Sequence, residues 1–232
     1  MAIKGKTLVF KTMGKVIVRF YLIFIIASLV AGCGTVAPSR SMAPQTAMPG
    51  VYHRMQKGQT LWRLSKIYDV DLDEVVRVNR ISDATNIEVG QLIFIPHAKK
   101  ARSVPLKYND DFIWPLKGKV IASFGQNCNS MLNKGLNIQA PAGSDIVASR
   151  SGRVAFYSPD MEGFGKTVII EHAEGFSTVY ARNSRVLVRP GEEVRQGAVI
   201  AKTGSAGRDR NSYLHFEIRK GYTAVNPHFY LP

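Results

Sequence analysis

The sequence is short of acidic residues and of cysteine. Its 232 residues include 31 lysines and arginines but only 17 aspartates and glutamates, which gives a formal net charge of +14. Such a chain is attracted to anionic polymers, either those of a cell envelope or nucleic acid, although the charge is also compatible with solubility alone. Only Cys33 and Cys128 are present. If Cys33 is modified, Cys128 has no partner, which excludes an intramolecular disulfide.

The amino-terminal apolar run is too short to span a bilayer as a helix. It has twelve residues, Phe20 to Ala31, whereas a spanning helix needs about 20. The run follows basic residues and ends in Leu29-Val-Ala-Gly-Cys33, which resembles the bacterial lipobox. The resemblance implies that residues 1–32 are a signal peptide and that Cys33 is acylated, giving a membrane anchor. Gly34 follows, so no inner-membrane retention signal is recognised. We expect an outer-membrane lipoprotein on the periplasmic face, with no nucleic-acid partner.

Two connectors divide the rest of the chain. Residues 33–50 are small, polar and proline-containing after the cysteine, which predicts a flexible tether. Residues 97–111 are basic and then polar, which predicts a linker. The segments between and after them, residues 51–96 and 112–232, are predicted to fold.

Residues 51–96 have the pattern of a βααβ module. Thr60 is placed to cap a helix that carries Leu61 and Leu64 on one face, and Asp71 with Glu74 predicts the start of a second helix. Asn79 is predicted to end the second helix, and residues 91–95 form a return strand.

This module resembles a LysM domain. Residues 57–62 (KGQTLW) are similar to the start of that domain, and residues 87–96 (IEVGQLIFIP) to its end. The resemblance implies that residues 51–96 bind N-acetylglucosamine-containing glycan between the turn and the following loop. Trp62 could stack on sugar, but a core role is favoured because it follows Leu61 into the helix. The candidate glycan-binding residues are Gly58, Gln59, Thr60, Leu61, Ile81, Ser82, Asn86 and Ile87.

Residues 112–232 consist of short β runs punctuated by glycine, with no helical pattern of useful length. We predict an all-β, mostly antiparallel domain, so that the fold class of the whole chain is α+β. The strands are predicted at residues 120–124, 145–148, 153–157, 167–172, 177–180, 186–188, 199–201 and 214–219.

Two segments of this domain resemble the signature motifs of the lysostaphin-like (LytM) zinc endopeptidases. Asn133-Lys-Gly-Leu-Asn137 stands where the family has His-x-x-x-Asp, and Tyr213-Leu-His215 where it has His-x-His. The family's zinc ligands therefore correspond to Asn133, Asn137 and His215. Its two catalytic histidines correspond to Tyr213 and, in a Tyr-x-His segment, to Arg182.

Four of these five positions have changed, which argues against zinc chemistry. Catalytic zinc takes three ligands from His, Cys, Asp and Glu, and a neutral amide is a weak substitute. Arginine stays protonated and cannot act as a base. We therefore expect no catalytic residues, no metal and no cofactor. His215 is interpreted as a hydrogen-bonded remnant. Arg182 either attracts a carboxylate or a helix C-terminus or is a solvated surface residue.

The succession of lipobox, LysM and degenerate LytM domain is similar to that of NlpD-type lipoproteins. The resemblance implies a non-catalytic activator of periplasmic N-acetylmuramyl-L-alanine amidases, acting in septal and envelope peptidoglycan hydrolysis and daughter-cell separation. The implied partners are peptidoglycan glycan strands, an amidase and, through the lipid anchor, the membrane. These five positions, Asn133, Asn137, Arg182, Tyr213 and His215, would form the partner groove. Two alternatives remain: a zinc-dependent endopeptidase with an altered site, and a purely structural wall-binding lipoprotein.

Overall fold

The computed structural model of the protein describes residues 48–98, 111–128, 131–204 and 212–232, all within one unit, residues 48–232. The predicted signal peptide, Cys33 and most of the two predicted connectors lie outside the described residues. Within the described ranges, no helix has the length and apolar character needed to cross a membrane.

The amino-terminal module has the predicted βααβ order. The elements are β1 (Gly50–Arg54), α1 (Leu61–Tyr68), α2 (Leu72–Val78), a 3-10 helix (Ala84–Asn86) and β2 (Leu92–Pro96). Strands β1 and β2 pair antiparallel, with Gly50 opposite Pro96 and Arg54 opposite Leu92.

Side-chain caps fix both helices where the sequence predicts them. Thr60 and Asp71 each accept a hydrogen bond from the backbone N–H three residues further on, at 3.1 and 3.0 Å, which satisfies one of the unpaired donors at each helix start. Asn79 follows α2. Its amide accepts from the Phe94 backbone N–H at 2.8 Å and donates to the Phe94 carbonyl oxygen. One asparagine therefore ties the end of α2 to β2.

The β domain, residues 112–232, is built on a branched ten-stranded sheet in which every described pairing is antiparallel. The strands are β3 (Lys119–Ala122), β4 (Asn127–Cys128), β5 (Met131–Leu132), β6 (Leu136–Gln139), β7 (Asp145–Val147), β8 (Gly152–Met161), β9 (Gly165–Glu171), β10 (Phe176–Val186), β11 (Glu193–Val194), β12 (Val199–Thr203), β13 (Tyr213–Lys220) and β14 (Thr223–Val225), with 3-10 helices at Ala173–Gly175 and Pro227–Phe229. The main strand order is β11-β8-β9-β10-β13-β6-β3, while β12 joins β10 to β7, β14 pairs with β13, and β4–β5 form a separate hairpin.

The prediction of two separate strands at residues 177–180 and 186–188 is wrong. One strand, β10, runs through Phe176–Val186. Its first part pairs with β9 and β13 and its last part with β12, and the register with β9 shifts between Tyr180 and Asn183. Arg182 lies in this irregularity with φ of +67°. A bulge of this kind bends a strand without ending it, so the polar residues at the bend do not mark a turn.

The hydroxyl of Tyr180 is a polar group in the core of the β domain that is hydrogen-bonded. The side chain is completely buried, and its hydroxyl accepts a hydrogen bond from the Ser149 backbone N–H at 2.8 Å. Desolvation by burial raises the pKa of Tyr180 to about 12. Tyr180, which opens the Tyr-x-His-like segment, is therefore a neutral core residue.

The module and the β domain share one hydrophobic core. Trp62 of α1 is buried, and its ring centroid lies 5.9 Å from that of Phe112 and 6.3 Å from those of Phe176 and Tyr230. The guanidinium carbon of Arg150, itself buried, lies 5.5 Å from the same centroid. The predicted core role of Trp62 is confirmed, but the aromatic rings around it belong to the β domain.

Ion pairs border this shared core. Arg63 of α1 lies 3.0 Å from the Asp111 carboxylate. Glu174 pairs with both Lys66 of α1 and Arg150 of the β domain. Ion pairs, like apolar contacts, therefore link the module to the β domain.

Candidate functional site

Four of the five signature positions, Asn137, Arg182, Tyr213 and His215, lie on one face of β13 and its neighbours. Successive side chains of a strand point to opposite faces, and Leu214 and Phe216 enter the core while Tyr213 and His215 face away from it. His215 stands opposite Asn137 of β6 on one side and Ala181 of β10 on the other. The antiparallel pairing thus brings together two motifs that are distant in sequence.

His215 is hydrogen-bonded at both ring nitrogens. Nδ1 lies 2.8 Å from Asn137 Oδ1, and Nε2 lies 3.1 Å from Glu217 Oε1. The ring also packs edge-on against Phe164, with centroids 5.2 Å apart. A metal ion could be coordinated by His215 only if one of these hydrogen bonds were broken.

Arg182 and Tyr213 stack on each other. The guanidinium carbon lies 4.1 Å from the Tyr213 ring centroid, and both side chains are half-buried, the arrangement of a cation–π pair. The left-handed backbone of Arg182 is held by its N–H, which donates to the Phe164 carbonyl oxygen at 2.8 Å, and by its carbonyl oxygen, which accepts from Gly204 N–H at 3.0 Å. Arg182 is therefore a fixed side chain on the face of the sheet.

Asn133 braces the loop before β6. It is buried, its Oδ1 accepts from Gly135 N–H, and its Nδ2 donates to the Ser123 carbonyl oxygen, both at 3.2 Å. Gly135 is required by close approach, since a Cβ there would lie 2.1 Å from the Phe216 carbonyl oxygen. The structure therefore pairs Asn137 with His215 and Arg182 with Tyr213, while the amide of Asn133 is used within its own loop.

These residues do not fit a zinc site. Among the described residues, no group of three or more His, Cys, Asp and Glu side chains is arranged to hold a metal ion. Of the three positions that correspond to zinc ligands, only His215 has a ligand side chain, and both of its nitrogens are engaged. The donor set is thus poorer in charge and in suitable ligands than a zinc site requires.

Glu217 is the residue of this face that sequence reasoning missed. It is buried, accepts from His215, and lies with its other oxygen 3.6 Å from Arg219 Nη1. Its spacing of two from His215 puts the two side chains on the same face of a strand. That alternation was the signal available in the sequence.

A cleft of about 340 Å³ lies at the turn of the module where glycan binding is predicted. Five of the eight predicted glycan-binding residues line it: Gly58, Gln59, Thr60, Leu61 and Ile87. The other three, Ile81, Ser82 and Asn86, are not among the lining residues. The prediction omitted Met55, Gln56, Ala84, Thr85, Glu88 and Val89 of the module and Trp114, His228, Leu231 and Pro232 of the β domain, which complete the lining.

The turn at the cleft is held by its own polar side chains. Gln59 Oε1 accepts from the Gln56 backbone N–H at 3.0 Å and lies 2.9 Å from His53 Nε2, while Thr60 caps α1. The Gln59 amide nitrogen and the Thr60 hydroxyl proton have no acceptor among the residues that the structure describes, so both remain as donors. The cleft therefore combines a pre-formed turn with hydrogen-bonding groups.

Comparison with known proteins agrees with both parts of this fold. The LysM domain model matches residues 53–96, and the model of peptidase family M23 matches residues 131–227. The uncharacterized lipoprotein YgeR of Escherichia coli (strain K12) is 33% identical over 229 residues, which cover 88% of each chain. The chain belongs to the family of the YgeR and NlpD lipoproteins.

Longer relatives match over about half of this chain. The murein hydrolase activator NlpD of Escherichia coli (strain K12) is 41% identical over 119 residues, 51% of this chain and 31% of its own length. The cell division protein DipM of Caulobacter vibrioides is 36% identical over 127 residues, 52% of this chain and 21% of its own. The YgeR and NlpD family thus includes members much longer than this chain.

Proposed function

We propose that this protein is a non-catalytic, peptidoglycan-binding lipoprotein of the outer membrane that activates N-acetylmuramyl-L-alanine amidases. It would act in septal and envelope peptidoglycan hydrolysis and in daughter-cell separation. The observation that carries the proposal is the hydrogen bonding of His215, the only one of the three ligand positions that keeps a ligand side chain. Both of its ring nitrogens are engaged, by Asn137 and by Glu217. The name of NlpD as a murein hydrolase activator supports it.

The face around His215 is suited to a protein segment. Arg182 is fixed against Tyr213 and brings a permanent positive charge to the sheet. A segment of the amidase that carries a carboxylate or ends a helix would be attracted to it. If this segment blocks the amidase in the free enzyme, its capture favours the open form, by no more than the difference in affinity between the two forms.

Glycan binding would bring the activator to its site of action. The support is the LysM match over residues 53–96 and the cleft at residues 58–61. Acylation of Cys33 would anchor the chain, as expected from the lipobox and from relatives that are named lipoproteins. Gly34 after that cysteine is the reason for proposing the outer membrane.

The test is digestion of purified peptidoglycan by an amidase with and without this protein. Arg182→Glu should lower the stimulation at least about tenfold, because a charged hydrogen bond contributes about 1.5–3 kcal/mol. Arg195→Glu is the matched control. It makes the same charge change at an exposed residue just after β11, at the far edge of the sheet, and should stimulate normally.

Both variants should keep the unfolding midpoint and the glycan affinity of the native chain. Full stimulation by Arg182→Glu and by Tyr213→Ala would show that the partner binds elsewhere. Cleavage of cross-links by the purified protein alone, abolished by a chelator, would instead support the altered zinc endopeptidase.

A further inference from the structure

We infer that the β domain completes the glycan site of the module, so that one short N-acetylated saccharide is held between the two. This inference rests on the proposed glycan binding. The second wall of the cleft consists of Trp114, His228, Leu231 and Pro232. The LysM domain match ends at residue 96, so all four lie outside the module that the sequence resemblance identifies.

The cleft has two chemically different sides. The module side is formed by the turn at residues 56–61 and the loop at residues 84–89, which carry amide, hydroxyl and carboxylate side chains. The β-domain side is mainly apolar, with the Trp114 ring, Leu231 and Pro232. The total volume of about 340 Å³ is at the lower end of the range of about 300–1,000 Å³ for small-molecule sites.

The second wall is held in place by contacts within the β domain. The Trp114 indole N–H donates to the Pro232 oxygen at 2.7 Å, and the Trp114 and His228 ring centroids lie 5.9 Å apart. Asn226 Oδ1 accepts from the His228 N–H at 3.1 Å and caps the 3-10 helix Pro227–Phe229. These bonds position the wall before any ligand arrives, which lowers the entropic cost of binding.

The wall is held against the module at the cleft itself. The 3-10 helix Pro227–Phe229 contacts the 3-10 helix Ala84–Asn86 of the module, and the latter helix contributes Ala84 and Thr85 to the cleft. A saccharide bound there would therefore contact both parts.

This two-sided cleft fits an N-acetylated sugar. Pyranose rings have apolar C–H faces and polar edges, and ligand sites combine apolar or aromatic lining with a few placed polar groups. Trp114 is half-buried and lines the cleft, whereas Trp62 is buried against the β domain. The stacking on sugar that the sequence analysis considered for Trp62 is therefore assigned to Trp114.

The chain contains two tryptophans, which allows a direct test by NMR. The probe is the ¹⁵N-labelled mature chain expected after signal-peptide cleavage, carrying Cys33→Ser, titrated with an N-acetylglucosamine hexamer. The Trp114 indole signal should shift with the same dissociation constant as the backbone amides of Gly58 and Thr85. The Trp62 indole signal is the internal control and should not shift. A glucose hexamer without acetamido groups should leave all these signals in place.

Affinity measurements on variants give a second readout. Trp114→Ala should weaken hexamer binding roughly tenfold, equivalent to about 1.4 kcal/mol. Tyr222→Ala removes an aromatic ring that is 98% exposed, between β13 and β14, and should bind like the native chain. If Trp114→Ala proves unstable, the indole titration of the chain with both tryptophans intact still decides the question.

The outcomes separate this inference from the proposed function. Shifts at Gly58 and Thr85 with an unmoved Trp114 indole would overturn the second wall and leave glycan binding by the module intact. No shift at any of these positions would overturn both. Equal shifts with the glucose hexamer would contradict recognition of N-acetylated sugar.

Discussion

Replacing Trp62 with alanine should separate the unfolding of the module from that of the β domain. Trp62 belongs to α1, yet the three aromatic rings that surround it, Phe112, Phe176 and Tyr230, belong to the β domain. The substitution therefore removes contacts that join the two parts and leaves the pairing of β1 with β2 unchanged.

The loss should be large because the side chain is 3% exposed. Truncating a buried Trp to Ala costs about 3–5 kcal/mol. Arg150 would also lose the ring face that its guanidinium covers at 5.5 Å, which adds up to about 2 kcal/mol for a desolvated cation–π contact. We expect a total of about 3–7 kcal/mol, most of it lost from the coupling between module and β domain.

Urea unfolding with two probes measures this coupling. Circular dichroism at 222 nm follows α1 and α2, which are the α-helices among the described residues. The tryptophan fluorescence of Trp62→Ala comes from Trp114 alone and follows the β domain, whereas both tryptophans contribute in the native chain. The transitions should coincide in the native chain, and in Trp62→Ala the helical transition should move to lower urea.

Tyr52→Ala is the control, because Tyr52 is 70% exposed and packs on Phe94 within the module. It should cost less than about 1.5 kcal/mol, the upper value for an aromatic pair, and the two probes should still coincide. Coincident probes in Trp62→Ala, with a loss below about 1 kcal/mol, would refute the argument that Trp62 joins the two parts.

Three further predictions concern stability, metal binding and the membrane anchor. Burial lowers the pKa of His172 from 6.5 to about 4, so the unfolded chain binds a proton that the folded chain excludes. The free energy of unfolding should therefore fall by up to about 3 kcal/mol between pH 6.5 and 4, and His172→Gln should remove that part of the pH dependence. The native chain should retain no stoichiometric zinc after dialysis, whereas Asn133→His combined with Asn137→Asp should retain it; zinc in the native chain would contradict the interpretation of the face. Cys33→Ser should abolish labelling with palmitate and release the protein from membranes, and persistent labelling would exclude acylation at this thiol.

Local features of the fold were predictable because their causes are local. The caps at Thr60 and Asp71 depend on residues only three positions apart, and the alternation along β13 is visible within eight residues. β6 was missed because it begins inside the glycine-containing motif, where alternation is too short to recognise. The length of β10 was missed because its bulge at Arg182 has no sequence signal distinct from that of a turn.

The long-range features were not predictable from local pattern. The resemblance to LysM predicted a module that binds glycan by itself. On that prediction, the surface of the module that contacts the β domain would be exposed to solvent. The wall formed by Trp114 and His228 depends instead on tertiary packing between the 3-10 helices at residues 84–86 and 227–229. In the same way, the replaced ligands were evident in the sequence, whereas the hydrogen bonds that now hold His215 required the pairing of β13 with β6.

The core shared by the module and the β domain fixes the distance between the cleft and the face around His215. If the cleft holds a sugar and that face holds an amidase, the protein sets the distance between the bound saccharide and the enzyme. The recruited enzyme would meet the strand at a constant offset from the anchored saccharide, and it could not sweep across neighbouring strands as it could on a long tether.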